Sequence, residues 1–178
     1  MTTASPDDII ELLAAPSESD IEQLADVLVD CVEGGASVSF MHPLPRDKAV
    51  DFWRSVAADA AAGGRMLIVA RDAGGIVGTV QVIPAATDNQ PHRADVAKML
   101  VHRRGRRQGI GAALMRAAED AAQKAGKTLL VLDTASRDAE RLYARLGWTF
   151  VGTIPDYALW PQGGFCAATF YYKVLRRT

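Results

Sequence analysis

Residues 101–111 read Val-His-Arg-Arg-Gly-Arg-Arg-Gln-Gly-Ile-Gly, between an apolar strand-like run and a long amphipathic segment typical of a helix. Gly109 and Gly111 let the backbone turn closely against a ligand, because neither carries a side chain. The first amides of a helix lack intrahelical partners and, with the positive end of the helix dipole, suit a pyrophosphate. The stretch therefore predicts an anion-binding cradle at the start of a helix.

The spacing of the glycines excludes two common phosphate-binding motifs. A P-loop needs four residues between its glycines and a Lys-Ser/Thr pair after the second, whereas three residues separate Gly105 from Gly109, and Ile110 follows. A dinucleotide fingerprint that begins at Gly109 requires Gly or Ala three residues after Gly111, and Leu114 stands there. Neither motif fits the stretch.

The pattern that fits is Arg106-x-x-Gly109-x-Gly111, which matches the Q/R-x-x-G-x-G/A signature of the GNAT family of N-acetyltransferases. The stretch Met99-Leu100-Val101 precedes this signature. The segment 139–148, Ala-Glu-Arg-Leu-Tyr-Ala-Arg-Leu-Gly-Trp, follows at the distance of the family's second signature. On these segments the chain resembles an acetyl-CoA-dependent acetyltransferase.

The resemblance implies an α/β fold, the GNAT acyl-CoA N-acyltransferase fold, over the whole chain as one domain, residues 1–178. Its mixed central sheet has about seven strands, of which strands 4 and 5 are parallel and splay apart, and about four helices flank it. Periodicity and turn residues give the same order of elements. The predicted strands are 9–14, 66–70, 76–82, 93–101, 128–132, 148–154 and 165–174. The first predicted helix begins at a cap on Ser19 or Asp20. The other three predicted helices span 46–62, 107–125 and 137–146.

The strand 93–101 leads into the cradle, so the orientation of its side chains matters. Strict alternation places its residues on two faces of the sheet. The prediction puts Ala94, Val96, Lys98 and Leu100 on one face, and Asp95, Ala97, Met99 and Val101 on the other.

Composition narrows the function classes. The 20 Lys and Arg residues against 21 Asp and Glu residues, a net charge of −1, argue against a general nucleic-acid binder. No apolar run approaches a membrane span, and residues 1–8 lack the features of a signal peptide, which predicts a cytoplasmic protein without membrane contact. Cys31 and Cys166 match no metal-ligand spacing, so we expect two reduced thiols and no metal.

The resemblance implies where acetyl-CoA, as cosubstrate, would bind. The backbone of the strand end would pair with the pantetheine arm like an added strand, the cradle would hold the pyrophosphate, and the other arginines would meet the 3′-phosphate. The alternative for the arginines is a solvated basic loop. The implied cofactor-binding residues are Met99, Leu100, Val101, Arg106, Arg107, Gln108, Gly109, Ile110, Gly111, Ala112 and Ser136.

Two positions depart from the family pattern. Ser136 stands where the family often has an Asn that contacts the cofactor, and a single hydroxyl makes fewer hydrogen bonds. Arg107 replaces a more usual Gly, which removes backbone freedom and adds charge.

Acetyl transfer to an amine needs a neutral amine, stabilisation of the developing oxyanion and a proton for the departing thiolate. By resemblance Tyr143 is the general acid; the alternative is a tyrosine that packs in the core. Asp95 and Asp133 are both candidates for the base, because a carboxylate in an apolar strand is costly unless paired or used. Either one could instead form a structural ion pair, with Arg93 or Lys98, or cap a loop.

The acceptor implied by the resemblance is the primary amine of a small molecule, such as an amino-acid-like toxin or antibiotic, which makes antibiotic resistance the expected role. The loop from Gly34 to Pro45, with Phe40 and His42, and a loop at Tyr157 to Trp160 would line its pocket. Neither cysteine lies in a nucleophile motif, so direct transfer without an acyl-enzyme is predicted, by a monomer or homodimer.

Two other function classes stay open at this point. A catalytically silent acyl-CoA-binding sensor would keep the cradle without turnover. A basic nucleic-acid module would bind DNA or RNA with steep salt dependence.

Overall fold

Seven strands form one mixed sheet across residues 5–175, the part of the chain that the computed structural model describes. The strands lie in the order β1-β2-β3-β4-β5-β7-β6. Their bounds are β1 Ile10–Leu12, β2 Met66–Asp72, β3 Gly75–Pro84, β4 Arg93–Val101, β5 Leu129–Thr134, β6 Thr149–Leu159 and β7 Phe165–Val174. The helices are α1 Glu18–Glu33, α2 Arg46–Ala61, α3 Ile110–Lys124 and α4 Arg137–Arg145. The predicted fold class and element order are confirmed.

The N-cap of helix α1 is Ser17, two residues before the earlier of its two predicted caps. Oγ of Ser17 accepts a hydrogen bond from the Asp20 amide at 3.2 Å, and the Asp20 carboxylate accepts one from the Ser17 amide at 2.8 Å. This reciprocal pair is a capping box in which Asp takes the place of the usual Glu. The prediction of a cap on Ser19 or Asp20 is therefore wrong, because Asp20 completes the box from inside the helix.

Two hydrophobic cores lie on opposite faces of the sheet. Helices α1 and α2 cover one face and α3 covers the other, with its small-residue stripe allowing a close approach. The first core includes Leu24, Leu28, Trp53, Leu67 and Leu100, and the second includes Val77, Val80, Leu114, Met115 and Leu130. The sheet is thus a central layer between helices.

A β-bulge in β4 overturns the predicted alternation of its side chains. Thr79 of β3 pairs with Leu100 and Gln81 pairs with Ala97, so two residues of β4, Lys98 and Met99, oppose one residue of β3. Lys98 adopts φ +50° at this point. The extra residue reverses the alternation in the second half of the strand.

The faces of β4 follow from this bulge. Ala94 and Val96 pack in the core beneath α3, and after the bulge Met99 and Val101 pack there as well, whereas Leu100 belongs to the opposite core. Asp95 alternates with Ala94 and Val96 and therefore lies on the face away from Met99 and Val101.

Strands β4 and β5 are parallel for only three pairs, which end at Asp95 and Val131. Beyond this point β5 pairs on its other side with β7 through Thr134, and residues 96–101 of β4 have no partner in β5. The predicted splay between the two strands is confirmed. It leaves one backbone edge of β4 open next to the cradle.

Two predicted boundaries near the site move. Helix α3 begins at Ile110 rather than at Arg107, because Gly109 precedes it with φ +81° and residues 103–105 form a separate 3-10 turn. Strand β6 runs to Leu159, so Tyr157 lies on a strand and not in a loop. A register shift between Ile154 and Ala158 accommodates Pro155, as an edge strand permits.

Candidate active site

The cradle, residues 101–112, consists of the end of β4, the 3-10 turn and the first turn of α3. Gly109 is the N-cap residue of α3 and provides no side-chain hydrogen bond, so the first amides of the helix are not satisfied by a capping side chain. Gly105 is buried where the turn packs on β3, and a Cβ there would meet Cγ2 of Val77 at 2.5 Å. The cradle is therefore held close to the sheet by backbone packing.

Most arginines of the cradle are engaged by other protein groups. Arg103 pairs with Asp30 and, at 3.5 Å, with Glu33, and Arg104 pairs with Asp72. Nε of Arg106 donates to the Val101 carbonyl at 3.2 Å. Arg103 and Arg104 thus neutralise carboxylates of α1 and β2, and their contact with the 3′-phosphate stays a prediction.

Arg107 differs from its neighbours. It is exposed, adopts φ +62°, and has no ion-pair or hydrogen-bond partner for its side chain within residues 5–175. Among the four cradle arginines it is the one whose charge the described protein leaves uncompensated. Gln108, next to it, donates from Nε2 to the Arg104 carbonyl at 2.9 Å and so fixes the turn.

Tyr143 lies on α4 with only 5% of its surface exposed, and its ring centroid is 6.0 Å from that of Trp148 and 5.9 Å from that of Tyr171. Its hydroxyl has no hydrogen-bond partner among residues 5–175. Burial, reinforced by the negative charge of Asp133, raises the pKa of Tyr143 well above its usual value. The hydroxyl therefore keeps its proton at neutral pH.

The predicted cofactor contact Ser136 caps α4. Its Oγ accepts a hydrogen bond from the Ala139 amide at 3.3 Å. This bond uses one acceptor position of the hydroxyl and leaves its proton for another partner. Ser136 thus fixes the start of the helix that carries Tyr143.

The two candidate bases have different surroundings. Asp133 lies at the end of β5, beside the splay, and partial desolvation raises its pKa while the charge of Lys98 opposes that rise. Asp95 instead forms an ion pair with Arg93, Oδ1 to NH1 at 2.6 Å. The ion pair considered for Asp95 as the alternative to catalysis is present, whereas Asp133 has no partner within salt-bridge distance among residues 5–175.

A cavity of about 310 Å³ opens next to Asp133, and we call it the acceptor cavity. Three separate segments form its wall: residues 37–41 before α2, residues 133–135 after β5, and residues 157–168 of the β6–β7 hairpin. The lining residues are Ser37, Ser39, Phe40, Met41, Asp133, Ala135, Tyr157, Ala158, Leu159, Cys166, Ala167 and Ala168.

The acceptor cavity brings together three predicted site residues, Phe40, Tyr157 and Asp133. His42 does not line it, because its backbone amide is bound to the Pro161 carbonyl at 2.9 Å and its side chain is exposed. Cys166 is an unpredicted wall residue, and its thiol donates to Oγ of Ser37 at 3.4 Å. Both cysteines are free, as expected.

Lys98 is the charged residue that sequence reasoning missed. Its Nζ donates to Oγ of Ser39 at 3.0 Å and lies 5.9 Å from the centroid of Phe52. Burial lowers the pKa of Lys98, and the charge of Asp133 partly opposes this shift. The sequence signal for this residue is a lysine in the middle of an apolar strand. Strict alternation predicts that this lysine lies on the face opposite to Asp95.

Comparisons with known proteins agree with this geometry. The family described as "Acetyltransferase (GNAT) domain" matches residues 63–150, which include the cradle, Asp133 and Tyr143. Residues 63–150 thus form a GNAT acetyltransferase domain. On this match the protein is an acetyl-CoA-dependent N-acetyltransferase.

Solved GNAT structures share the fold over nearly the whole chain. A ribosomal-protein-alanine N-acetyltransferase from Brucella melitensis is 19% identical, with a TM-score of 0.79, and the match covers 93% of this chain and 99% of that one. A phosphinothricin acetyltransferase from Sinorhizobium meliloti in complex with acetyl-CoA is 16% identical, with a TM-score of 0.77 and coverage of 94% and 89%. An aminoglycoside 6′-acetyltransferase type Ii is 20% identical, with a TM-score of 0.69 and coverage of 94% and 97%.

These three similar structures are named for three different acceptors, so the shared GNAT fold does not specify the amine. The residues present do fit the cosubstrate, acetyl-CoA. An open strand edge on β4 can pair with the amide groups of a pantetheine arm, and the uncapped start of α3 suits a pyrophosphate. The acceptor must therefore be argued from the acceptor cavity itself.

Residues 5–175 lack two further features. No helix among them is long and apolar enough to cross a membrane. The same residues contain no group of three or more His, Cys, Asp or Glu side chains placed to hold a metal ion.

Proposed function

We propose that this chain transfers an acetyl group directly from acetyl-CoA to the primary amine of a small molecule, without an acyl-enzyme. The observation that carries the proposal is the position of Asp133, which stands both beside the splay of β4 and β5 and in the wall of the acceptor cavity. A carboxylate at that junction can serve an amine that enters from the cavity. Neither cysteine is arranged as a nucleophile, since Cys31 donates to the Val101 carbonyl and Cys166 to Ser37.

Acetyl-CoA would lie along Met99 to Val101, with its pyrophosphate on residues 106–112 of the cradle. Amides of the first turn of α3 supply the hydrogen bonds, and Arg107 supplies the uncompensated positive charge. When bound, acetyl-CoA supplies the thioester that is the acetyl donor. Arg106 contributes by holding the end of β4 through the Val101 carbonyl.

Asp133 is the proposed general base. Its raised pKa brings the carboxylate nearer to the pKa range in which a base accepts a proton efficiently, directly or through one water. Asp95 is the weaker candidate, because its carboxylate is bound to Arg93 and lies outside the acceptor cavity. Asp133 accepts the proton that the amine must lose.

Tyr143 is the proposed general acid. Its hydroxyl is neutral because its pKa is raised, and it has no competing partner among residues 5–175. The charge of Asp133 adds to the rise in the pKa of Tyr143, which supports the assignment of base and acid to one site. Tyr143 would give its proton to the departing thiolate, as general acid catalysis requires.

The proposed acceptor is an amino-acid-like toxin or antibiotic. Three segments, Gly34–Met41, Arg93–Val101 and Leu132–Thr134, resemble the corresponding segments of the tabtoxin resistance protein, which acetylates the amine of a toxin. Two of the similar solved structures are named for antibiotic-type acceptors, phosphinothricin and an aminoglycoside. Resistance by acetylation is therefore the proposed role.

Release of free CoA thiol with a panel of primary amines tests the proposal. We expect turnover with at least one small amine and saturable binding of acetyl-CoA. Binding of acetyl-CoA without turnover of any amine would favour the acyl-CoA-binding sensor. Steeply salt-dependent binding to DNA or RNA would favour the nucleic-acid module instead.

A further inference from the structure

Ser39 and Lys98 form a hydrogen-bonded pair at the wall of the acceptor cavity. Nζ of Lys98 donates to Oγ of Ser39 at 3.0 Å, and Ser39 lines the cavity. Because the serine oxygen accepts from an ammonium group, its own proton remains to be donated elsewhere. Hydrogen bonds in a chain polarise one another, so this hydroxyl is a stronger donor than an isolated one.

Both residues of the pair have an uncommon backbone conformation. Ser39 has φ +77° and Lys98 has φ +50°, both in the left-handed region that residues with a side chain rarely adopt. Such conformations cost free energy and cluster at ligand-binding and active sites. A strained loop residue and a strained strand residue therefore meet each other beside the cavity.

The charges near the pair are arranged for a ligand with two opposite charges. The negative charge of Asp133 acts on Lys98, and Asp133 also lines the acceptor cavity. Arg65, the other cation that acts on Lys98, is already bound by Asp59 and by Oε1 of Gln81. The cavity thus offers a carboxylate at one place and a donor supported by an ammonium at another.

We propose that the Ser39–Lys98 pair binds a carboxylate of the acceptor, so that the acceptor is an amine that also carries a carboxylate, as amino acids do. The inference rests on the proposed function and deepens it by naming the residues that hold the carboxylate of the acceptor. The amine of this acceptor faces Asp133, and its carboxylate accepts the Ser39 hydroxyl proton. Ser39 contacts the substrate, whereas Lys98 is a positioning residue that acts through Ser39.

Matched substrate pairs test the inference. Each pair is an amino acid and the same amine without its carboxylate: L-lysine and cadaverine, L-ornithine and putrescine, β-alanine and ethylamine. Values of kcat and KM come from the release of free CoA thiol under saturating acetyl-CoA. For the pairs that turn over, we expect the carboxylate-bearing member to be favoured in kcat/KM by about tenfold or more, the effect of one hydrogen bond to a charged group.

Two variants separate recognition of the carboxylate from a merely structural role. Ser39→Gly removes the hydroxyl and suits the left-handed backbone, and Lys98→Met removes the charge while keeping a long stem. In each variant we expect the preference to fall about tenfold to a hundredfold, through a higher KM for the amino acid. The double variant should lose little more than either single one, because both changes remove the same donor.

Lys48→Met is the matched control, since Lys48 is exposed on α2 outside the acceptor cavity and this change should retain the preference. Lys98→Arg should retain most of it. Turnover with no preference for the amino acid in the wild type, or a preference that survives in both Ser39→Gly and Lys98→Met, would overturn the inference while leaving the proposed function standing. Acetyl-CoA binding without turnover of any amine would overturn the proposed function and this inference together.

Discussion

The cradle comes from one continuous stretch, residues 101–112, whereas the acceptor cavity takes its wall from residues 37–41, 133–135 and 157–168. In the cradle the groups offered to a ligand are mainly backbone amides, and most nearby arginine side chains are engaged by protein groups. In the acceptor cavity the groups offered are individual side chains. Because each of those groups depends on one particular side chain, single substitutions should lower activity more in the acceptor cavity than in the cradle.

The largest effect is expected at Tyr143, the proposed general acid. Tyr143→Phe keeps the ring contacts with Trp148 and Tyr171 and removes only the hydroxyl. We expect kcat to fall about 10²- to 10⁴-fold, the usual contribution of a general acid, with the Kd for acetyl-CoA nearly unchanged. Steady-state kinetics and equilibrium titration measure the two quantities. A weakened Kd with an intact kcat would contradict the role.

The second-largest effect is expected when the general base is replaced. The pH dependence of the rate then distinguishes Asp133 from Asp95 as the base. Asp133→Asn should lower kcat/KM about 10²-fold, the lower end of general base catalysis. In the wild type the rate should rise with pH as Asp133 loses its proton, because only the carboxylate accepts a proton, and that limb should lie above the ordinary carboxylate pKa. Asp133→Asn should abolish the limb. Asp95→Asn is the matched comparison: a limb that vanishes there instead would make Asp95 the base.

The same contrast explains how much could be predicted from the sequence. Gly109, Gly111 and Arg106 lie close together in the chain, so their spacing alone predicts the cradle. Helix and strand order also followed from local periodicity and from the glycines that end the helices. The predicted cap of α1 lies at least two residues after the observed one, because Asp20 bonds back to Ser17 and does not cap the helix itself.

The acceptor cavity could not be predicted in the same way. Lys98 reaches Ser39 because a bulge in β4 changes the face on which it lies, and the bulge depends on the pairing with β3 rather than on the sequence of β4 alone. Tyr157 lies on β6 because an edge strand tolerates Pro155 through a register shift. His42 was expected in the pocket from its loop, but the direction of a loop side chain is set by tertiary contacts, here the bond of its amide to Pro161.

The third-largest effect is expected at Gly105. It tests whether close packing of the backbone on β3 keeps the cradle in place. Gly105→Ala would place a Cβ 2.5 Å from Val77 and 3.0 Å from Ile110, both in a buried core. Overpacking of this kind lowers the free energy of unfolding by about 1–3 kcal/mol. Urea unfolding of the variant checks this value. Gly152→Ala is the matched control, since a Cβ on Gly152 would meet no atom of the other described segments within 4 Å, and an equal loss of stability in both variants would refute packing as the cause.

The smallest effect is expected at Arg107, the cradle arginine without a partner among residues 5–175. Arg107→Gly removes one exposed charge and suits the local φ of +62°, so folding stability should stay the same or rise slightly. The Kd for acetyl-CoA should increase only about fivefold, because an exposed ion pair contributes up to about 1 kcal/mol, and the increase should shrink as salt is added. Titrations at two salt concentrations measure this, with Lys124→Gln at the far end of α3 as the control. A hundredfold increase in the Kd would mean that the cradle depends on side-chain charge as strongly as the acceptor cavity depends on Asp133. The contrast between the two regions would then not hold.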